Sequence, residues 1–173
     1  MENNLNINSN DISKNKSKLN FKNLFICILI PLAIGAISGF ISSNNMNDFK
    51  VLNKPTFSPP GWLFPVVWTI LYILMGIASY LIINTKNSSH NQKNSAITLY
   101  GIQLLFNFFW TFWFFNLKLY LFAFIWLIAL WFLILVTTVK FFHISKTAAY
   151  LMIPYLIWVT FAGYLNLGIT LLN

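Results

Sequence analysis

Arginine is absent from this chain, acidic residues number three, and cysteine occurs once. With Cys27 alone, no disulfide framework or multi-cysteine metal cluster can form within one chain. A lone thiol in an apolar run behaves as a small hydrophobe, so no redox role is expected of it. Charged residues make up 8% of the sequence, against roughly 25% in soluble domains. The two histidines, His90 and His143, have no Cys, Asp or Glu partner at metal-ligand spacing. They are expected in solvated loops, and no metal site is expected.

What is present is apolar: 58% of the 173 residues are hydrophobic and 18% are aromatic. A chain this short cannot bury so much apolar surface in a water-soluble globule, because surface grows relative to volume as chains shrink. Lipid has to be the solvent. The formal charge of +8 comes from eleven lysines. They lie in the N-terminal tail and between apolar runs rather than along a helix face, so nucleic acid is not an expected partner.

Residues Met1 to Asn23 are rich in Asn, Ser and Lys and too polar to fold alone, which predicts a disordered tail over 1–23 ahead of a membrane domain over 24–173. The lysines before the first apolar run also suit a signal peptide. That run, Leu24 to Ser43, lacks a small-residue cleavage pattern and is read as a membrane helix. A helix crossing a hydrocarbon core about 30 Å thick needs roughly 20 apolar residues. Five runs meet this: Leu24 to Ser43, Trp62 to Asn84, Ala96 to Phe115, Leu119 to Val139 and Ala148 to Leu172. Continuous apolar runs are not the alternating segments of a membrane barrel. The expected fold class is all-α, an integral membrane bundle of five transmembrane helices.

Lysines set the topology. Eight fall in the tail and in the second and fourth loops, three in the first and third, which predicts a multi-pass protein with a cytoplasmic N terminus. Asn116, Leu117 and Lys118 alone separate the third and fourth runs, predicting a tight antiparallel hairpin. Gly35 and Gly39 form a GxxxG, a pattern that lets helix backbones approach closely within or between subunits. Pro31 and Pro154 are expected to kink their helices. There is no internal repeat, and an odd number of spans argues against the inverted-repeat design of many transporters.

Proton-transfer enzymes need a titratable group of tuned pKa, and the five runs offer only tyrosines and Cys27. Haem would find no obvious His or Cys axial ligand, with Met75 and Met152 the remaining thioethers. The runs do carry aromatic stripes with amides. Gln103, Asn107 and Trp110 share one side of the third helix, Trp158, Ala162 and Asn166 one side of the fifth, and Trp68, Tyr72, Gly76 and Tyr80 one side of the second. Together they can line one cavity, since small-molecule sites have apolar walls and a few placed polar groups. Equally, Asn107 and Asn166 can serve as hydrogen-bonding links between helices.

The loop from Asn44 to Gly61 is longer than most connections in compact domains. Pro55, Pro59 and Pro60 stiffen it, carrying Phe57 and Trp62 at the membrane surface. It is read as a lid over the bundle, the plainer alternative being a connector with an interfacial Trp.

The segments KPTFSPPGWLFPVVWTILYILMG (Lys54 to Gly76), YGIQLLFNFFW (Tyr100 to Trp110) and PYLIWVTFAGYLN (Pro154 to Asn166) resemble the tryptophan-rich sensory protein and translocator protein family, TspO/MBR. The likeness runs from about Leu24 to the C terminus. It implies a five-helix membrane protein, often a homodimer, in a bacterial cell membrane or, in a eukaryote, a mitochondrial membrane. It also implies binding of porphyrins such as protoporphyrin IX and haem as ligands, with no cofactor. Positions matching the family's cavity are Trp62, Trp68, Asn107, Trp110, Trp158 and Ala162. If the chain degrades porphyrin, as some bacterial members are reported to, Trp68 and Trp158 are the matching candidates. Transport of a tetrapyrrole or sterol is the other alternative. Phe108 stands where many relatives carry Trp, and Leu167, Gly168 and Leu171 replace the aromatic and basic positions of the animal cholesterol motif, which argues against cholesterol as a ligand.

Overall fold

In a computed structural model, residues 20–45, 51–86 and 88–173 are described. They contain five long helices and no strand. The helices are α1 (Phe21–Ser42), α2 (Leu63–Asn84), α3 (His90–Thr111), α4 (Tyr120–Ile144) and α5 (Lys146–Leu172). Each is long and apolar enough to cross a membrane, α3 together with the turn that extends it to Asn116. Most of the expected 1–23 tail lies outside the described residues. Pro31 and Pro154 sit inside continuous helices.

Local sequence explains where the helices begin. The Asn20 side chain accepts from the Asn23 amide at 3.3 Å and caps α1. Ser89 and Gln92 make a reciprocal capping box at α3, each side chain accepting from the other's amide. Such a box satisfies two helix-end donors that would otherwise need water. It starts α3 six residues ahead of the apolar run that begins at Ala96. At the other extreme, α4 continues past Val139 to Ile144. Its last turn therefore holds a basic residue, His143, where the helix dipole favours positive charge. The expected loop placement of the histidines is thus corrected: His90 is the first residue of α3 and His143 lies in the last turn of α4. Apolar periodicity alone misses polar end turns that caps and dipoles support.

Beyond Thr111 the α3 chain widens into one π-helical turn, Phe112–Asn116, with the Leu117 amide donating to Phe112 O at 3.2 Å. Lys118 then takes φ 54°, a left-handed step that reverses the chain into α4. The Leu119 amide closes the reversal on Trp113 O at 3.1 Å, giving the tight hairpin that the short spacer predicted.

Around the bundle, α4 packs most extensively on α5 and α1 on α2, while α3 lies against α4 and α2 against α5. One end joins the start of α1 to the end of α2 through the Asn20 amide and Tyr80 Oη at 3.0 Å. The same end joins α3 to α4 through Lys140 Nζ and Ser95 Oγ at 2.7 Å. At the opposite end Ser42 Oγ donates to Asn116 Oδ1 at 2.7 Å. Met75, Ile82, Leu130, Ile134, Phe141, Met152 and Tyr155 fill the interior, and Phe25, Ile70, Leu105, Ile125, Phe132 and Ile157 point outward. Large apolar side chains inside and out are what a lipid-embedded bundle requires.

Glycines set two of the close approaches. A Cβ on Gly76 would stand 2.5 Å from Ile28 Cα and 2.7 Å from Cys27 O, so α1 and α2 meet backbone to backbone there. Gly35 of the GxxxG faces the ring of Tyr72 in the same chain, while a Cβ on Gly39 would meet no other described side chain or helix within 4 Å.

Candidate functional site

Helices α2, α3 and α5 bring the 68–72, 103–110 and 158–166 parts of the expected stripes together, whereas Gly76 and Tyr80 of the α2 stripe turn to α1 instead. At the centre is Asn107, which is 2% exposed. Its Oδ1 accepts from Tyr72 Oη at 2.7 Å and its Nδ2 donates to Tyr155 Oη at 3.0 Å. One amide therefore ties three helices together, in a medium where an unpartnered polar group is costly.

Toward the loop end of the bundle, a second amide does similar work. Asn166 Oδ1 accepts from Trp110 Nε1 at 3.2 Å, and its Nδ2 donates to Tyr120 O at 2.8 Å. Trp110 in turn stacks on Phe114 with centroids 5.4 Å apart. Ala162, on the same side of α5, is buried.

Above Asn107, rings dominate. Trp68 stacks on Tyr72 at 5.5 Å and meets Tyr155 edge to face at 6.0 Å. Trp158 meets Phe64 edge to face at 6.0 Å and lies 5.6 Å from Phe161. The Trp158 Nε1 is buried and has no hydrogen-bond partner. Trp158 Nε1 is thus a buried directional donor with rings beside it, as Trp113 Nε1 is in the π-helical turn beyond α3. Gln103 is fully buried with both amide atoms unpartnered.

The loop before α2 is fastened to α5. The Asn53 amide donates to Asn173 Oδ1 at 3.0 Å, and Asn173 Nδ2 returns to Asn53 O at 3.0 Å. Tyr164 Oη donates to Thr56 O at 2.7 Å. Pro55 lies against Gly168, where a Cβ would come within 2.6 Å of its ring. Pro59 is half-buried and Pro60 exposed. Phe57 stands at φ 67° and 83% exposed, an unusual conformation for a bulky residue. Trp62 precedes the first residue of α2 and is 66% exposed, apart from the ring cluster.

Of the expected site residues, Trp68, Tyr72, Asn107 and Trp158 thus gather with partners where α2, α3 and α5 meet. Trp110, Ala162 and Asn166 lie nearer the end of α5 that holds the loop. Sequence reasoning missed Tyr155, Phe64 and Tyr100. Continuing the α5 stripe back one turn from Trp158 reaches Tyr155, and continuing the α3 stripe back from Gln103 reaches Tyr100. No group of three or more metal-ligating side chains occurs among the described residues.

The family model described as TspO/MBR matches residues 27–172. The chain is 40% identical over 151 residues to the tryptophan-rich protein TspO of Chlorobaculum tepidum, covering 87% of this chain and 95% of that one. It is 38% identical over 150 residues to the tryptophan-rich sensory protein of Cereibacter sphaeroides, covering 87% and 91%. With the human translocator protein it shares 32% identity over 129 residues, 75% of this chain and 76% of the relative.

Proposed function

The chain belongs to the TspO/MBR family of membrane sensory and translocator proteins, and from that premise we propose that it is a receptor for flat, amphipathic porphyrin-type ligands. Binding is by ring stacking and neutral hydrogen bonds, without metal coordination.

The observation that carries this reading is Trp158 Nε1, buried without a partner among Phe64 and Phe161. A buried donor left unpaired costs about 1–3 kcal/mol, and a ligand carrying a carbonyl-type acceptor repays that cost on binding. The neighbouring rings favour a flat partner, since an aromatic pair adds about 0.5–1.5 kcal/mol beyond its buried area. The Trp68, Tyr72 and Tyr155 rings, pinned by Asn107, give that partner a fixed wall. The loop from Asn53 to Trp62 serves as the lid, strapped to α5 beside the ring cluster.

Lys93 in the first turn of α3 and Lys146 at the start of α5 stand at the end of the bundle where α1 starts, and Lys140 binds Ser95 there. With the lysine-rich tail, this charge bias supports the reading that this end faces the cytoplasm. A titration with protoporphyrin IX in detergent tests the function. Saturable quenching of tryptophan fluorescence is expected, and quenching that rises linearly without saturation contradicts it.

A further inference from the structure

Below the ring cluster, toward the start of α3, buried polar side chains lack full hydrogen bonding. Gln103 is 0% exposed and neither Oε1 nor Nε2 has a partner. One turn further from the loop, Tyr100 is 6% exposed, and its Oη faces the Ser79 hydroxyl without a well-formed hydrogen bond. The two are spaced i and i+3, so they share one face of α3 with Asn107. Ser79 of α2 lies beside Tyr100 and beside Cys27 of α1, and its own hydroxyl donates to Gly76 O at 2.9 Å.

A glutamine side chain offers two donor hydrogens and two acceptor lone pairs, and a fully buried one is paired in nearly all structures. Asn107, one turn away, shows the usual outcome, with both amide atoms bonded to tyrosines. Two adjacent exceptions on one helix face point to a shared partner. That partner must be neutral, because the buried residues contributed by α1, α2, α3 and α5 include no charged side chain. It must both accept and donate, because Gln103 presents each kind of group.

We infer that Tyr100 and Gln103, with Ser79 beside them, form an inner polar subsite that takes a neutral group able to accept and donate hydrogen bonds. In the ligand-free protein the group is an ordered water, which makes about three bonds in such settings. In the liganded protein it is either that water or the amide- or hydroxyl-like end of a ligand. The ligand half rests on the binding reading above; the water half stands without it.

Brief X-ray radiolysis of the ligand-free protein in nanodiscs, in water labelled with oxygen-18, reads this directly, because bound internal water delivers its oxygen to the side chains it touches. Tyr100 is expected to take up label at least about fivefold faster than Phe114, which is also buried but lies in an aromatic cluster with Trp110 and Tyr120. Equal rates at Tyr100 and Phe114 overturn the inference, whatever the protein binds. The variant Gln103→Leu adds a second reading. Removing an amide that water serves lowers the melting temperature by a few degrees, whereas removing one in a dry pocket raises it, and a rise contradicts the subsite. Repeating the labelling with saturating protoporphyrin IX identifies the occupant: lost label at Tyr100 means that the ligand replaces the water, and retained label means that the water stays.

Discussion

Tyr72 on α2 donates its hydroxyl hydrogen to Oδ1 of Asn107 on α3 at 2.7 Å, and the other end of the same amide reaches Tyr155 on α5. Two tyrosine rings of the candidate site, on different helices, are therefore held by one side chain. Tyr72→Phe removes one bond and leaves Asn107 partly served. Asn107→Ala leaves two buried hydroxyls without that amide. Inter-helix hydrogen bonds in membranes average about 0.6 kcal/mol with a maximum near 1.7. Thermal unfolding in detergent should show Asn107→Ala as the more destabilising, by roughly 1 kcal/mol. Equal effects would mean that the amide does not act as a hub.

Helix contact at Gly76 is backbone against backbone, with Ile28 and Cys27 of α1 opposite. Neither can swing aside, so Gly76→Ala should force α1 and α2 apart and cost about 1–3 kcal/mol. Gly39→Ala meets nothing within 4 Å and should leave the monomer's unfolding temperature unchanged. A pair of variants with the same melting point would contradict this packing.

Gly168→Ala tests the strap from the other direction. The new methyl would meet the Pro55 ring at 2.6 Å, lifting the loop from α5. Limited proteolysis within residues 51–62 should accelerate severalfold, and release of a bound porphyrin should quicken with it. Replacing Pro59 and Pro60 by Ala should act the same way by relaxing the backbone. Unchanged release in both variants would reduce the loop to a connector.

Five spans were legible because each is a run of about 20 apolar residues, and the hairpin after Asn116 because its spacer is too short for anything else. The α3 start was not, since the Ser89 and Gln92 box lies in polar sequence that an apolar window discards. Three stripes were readable as faces, yet sequence left Asn107 and Asn166 open between linking helices and lining a cavity. Both amides bond across helices, a fact set by which tyrosine or tryptophan stands opposite. Nothing in the loop's own residues announces that it lies on α5. That depends on Gly168 and Tyr164, far along the chain and unremarkable by themselves.

The most direct test of the central claim uses the unpaired indole donor of Trp158. In Trp158→Phe a smaller aromatic ring remains and Nε1 is gone, so loss of one ligand hydrogen bond of about 1 kcal/mol, together with some stacking area, should weaken protoporphyrin IX binding roughly five- to tenfold. The melting temperature of the ligand-free protein should hold or rise, since an orphaned donor has been removed. Titration of wild type and variant side by side, followed by porphyrin absorbance so that the lost fluorophore does not matter, gives the answer. A weaker but saturable isotherm at undiminished stability is the predicted result, and identical affinities for the two proteins would contradict the account.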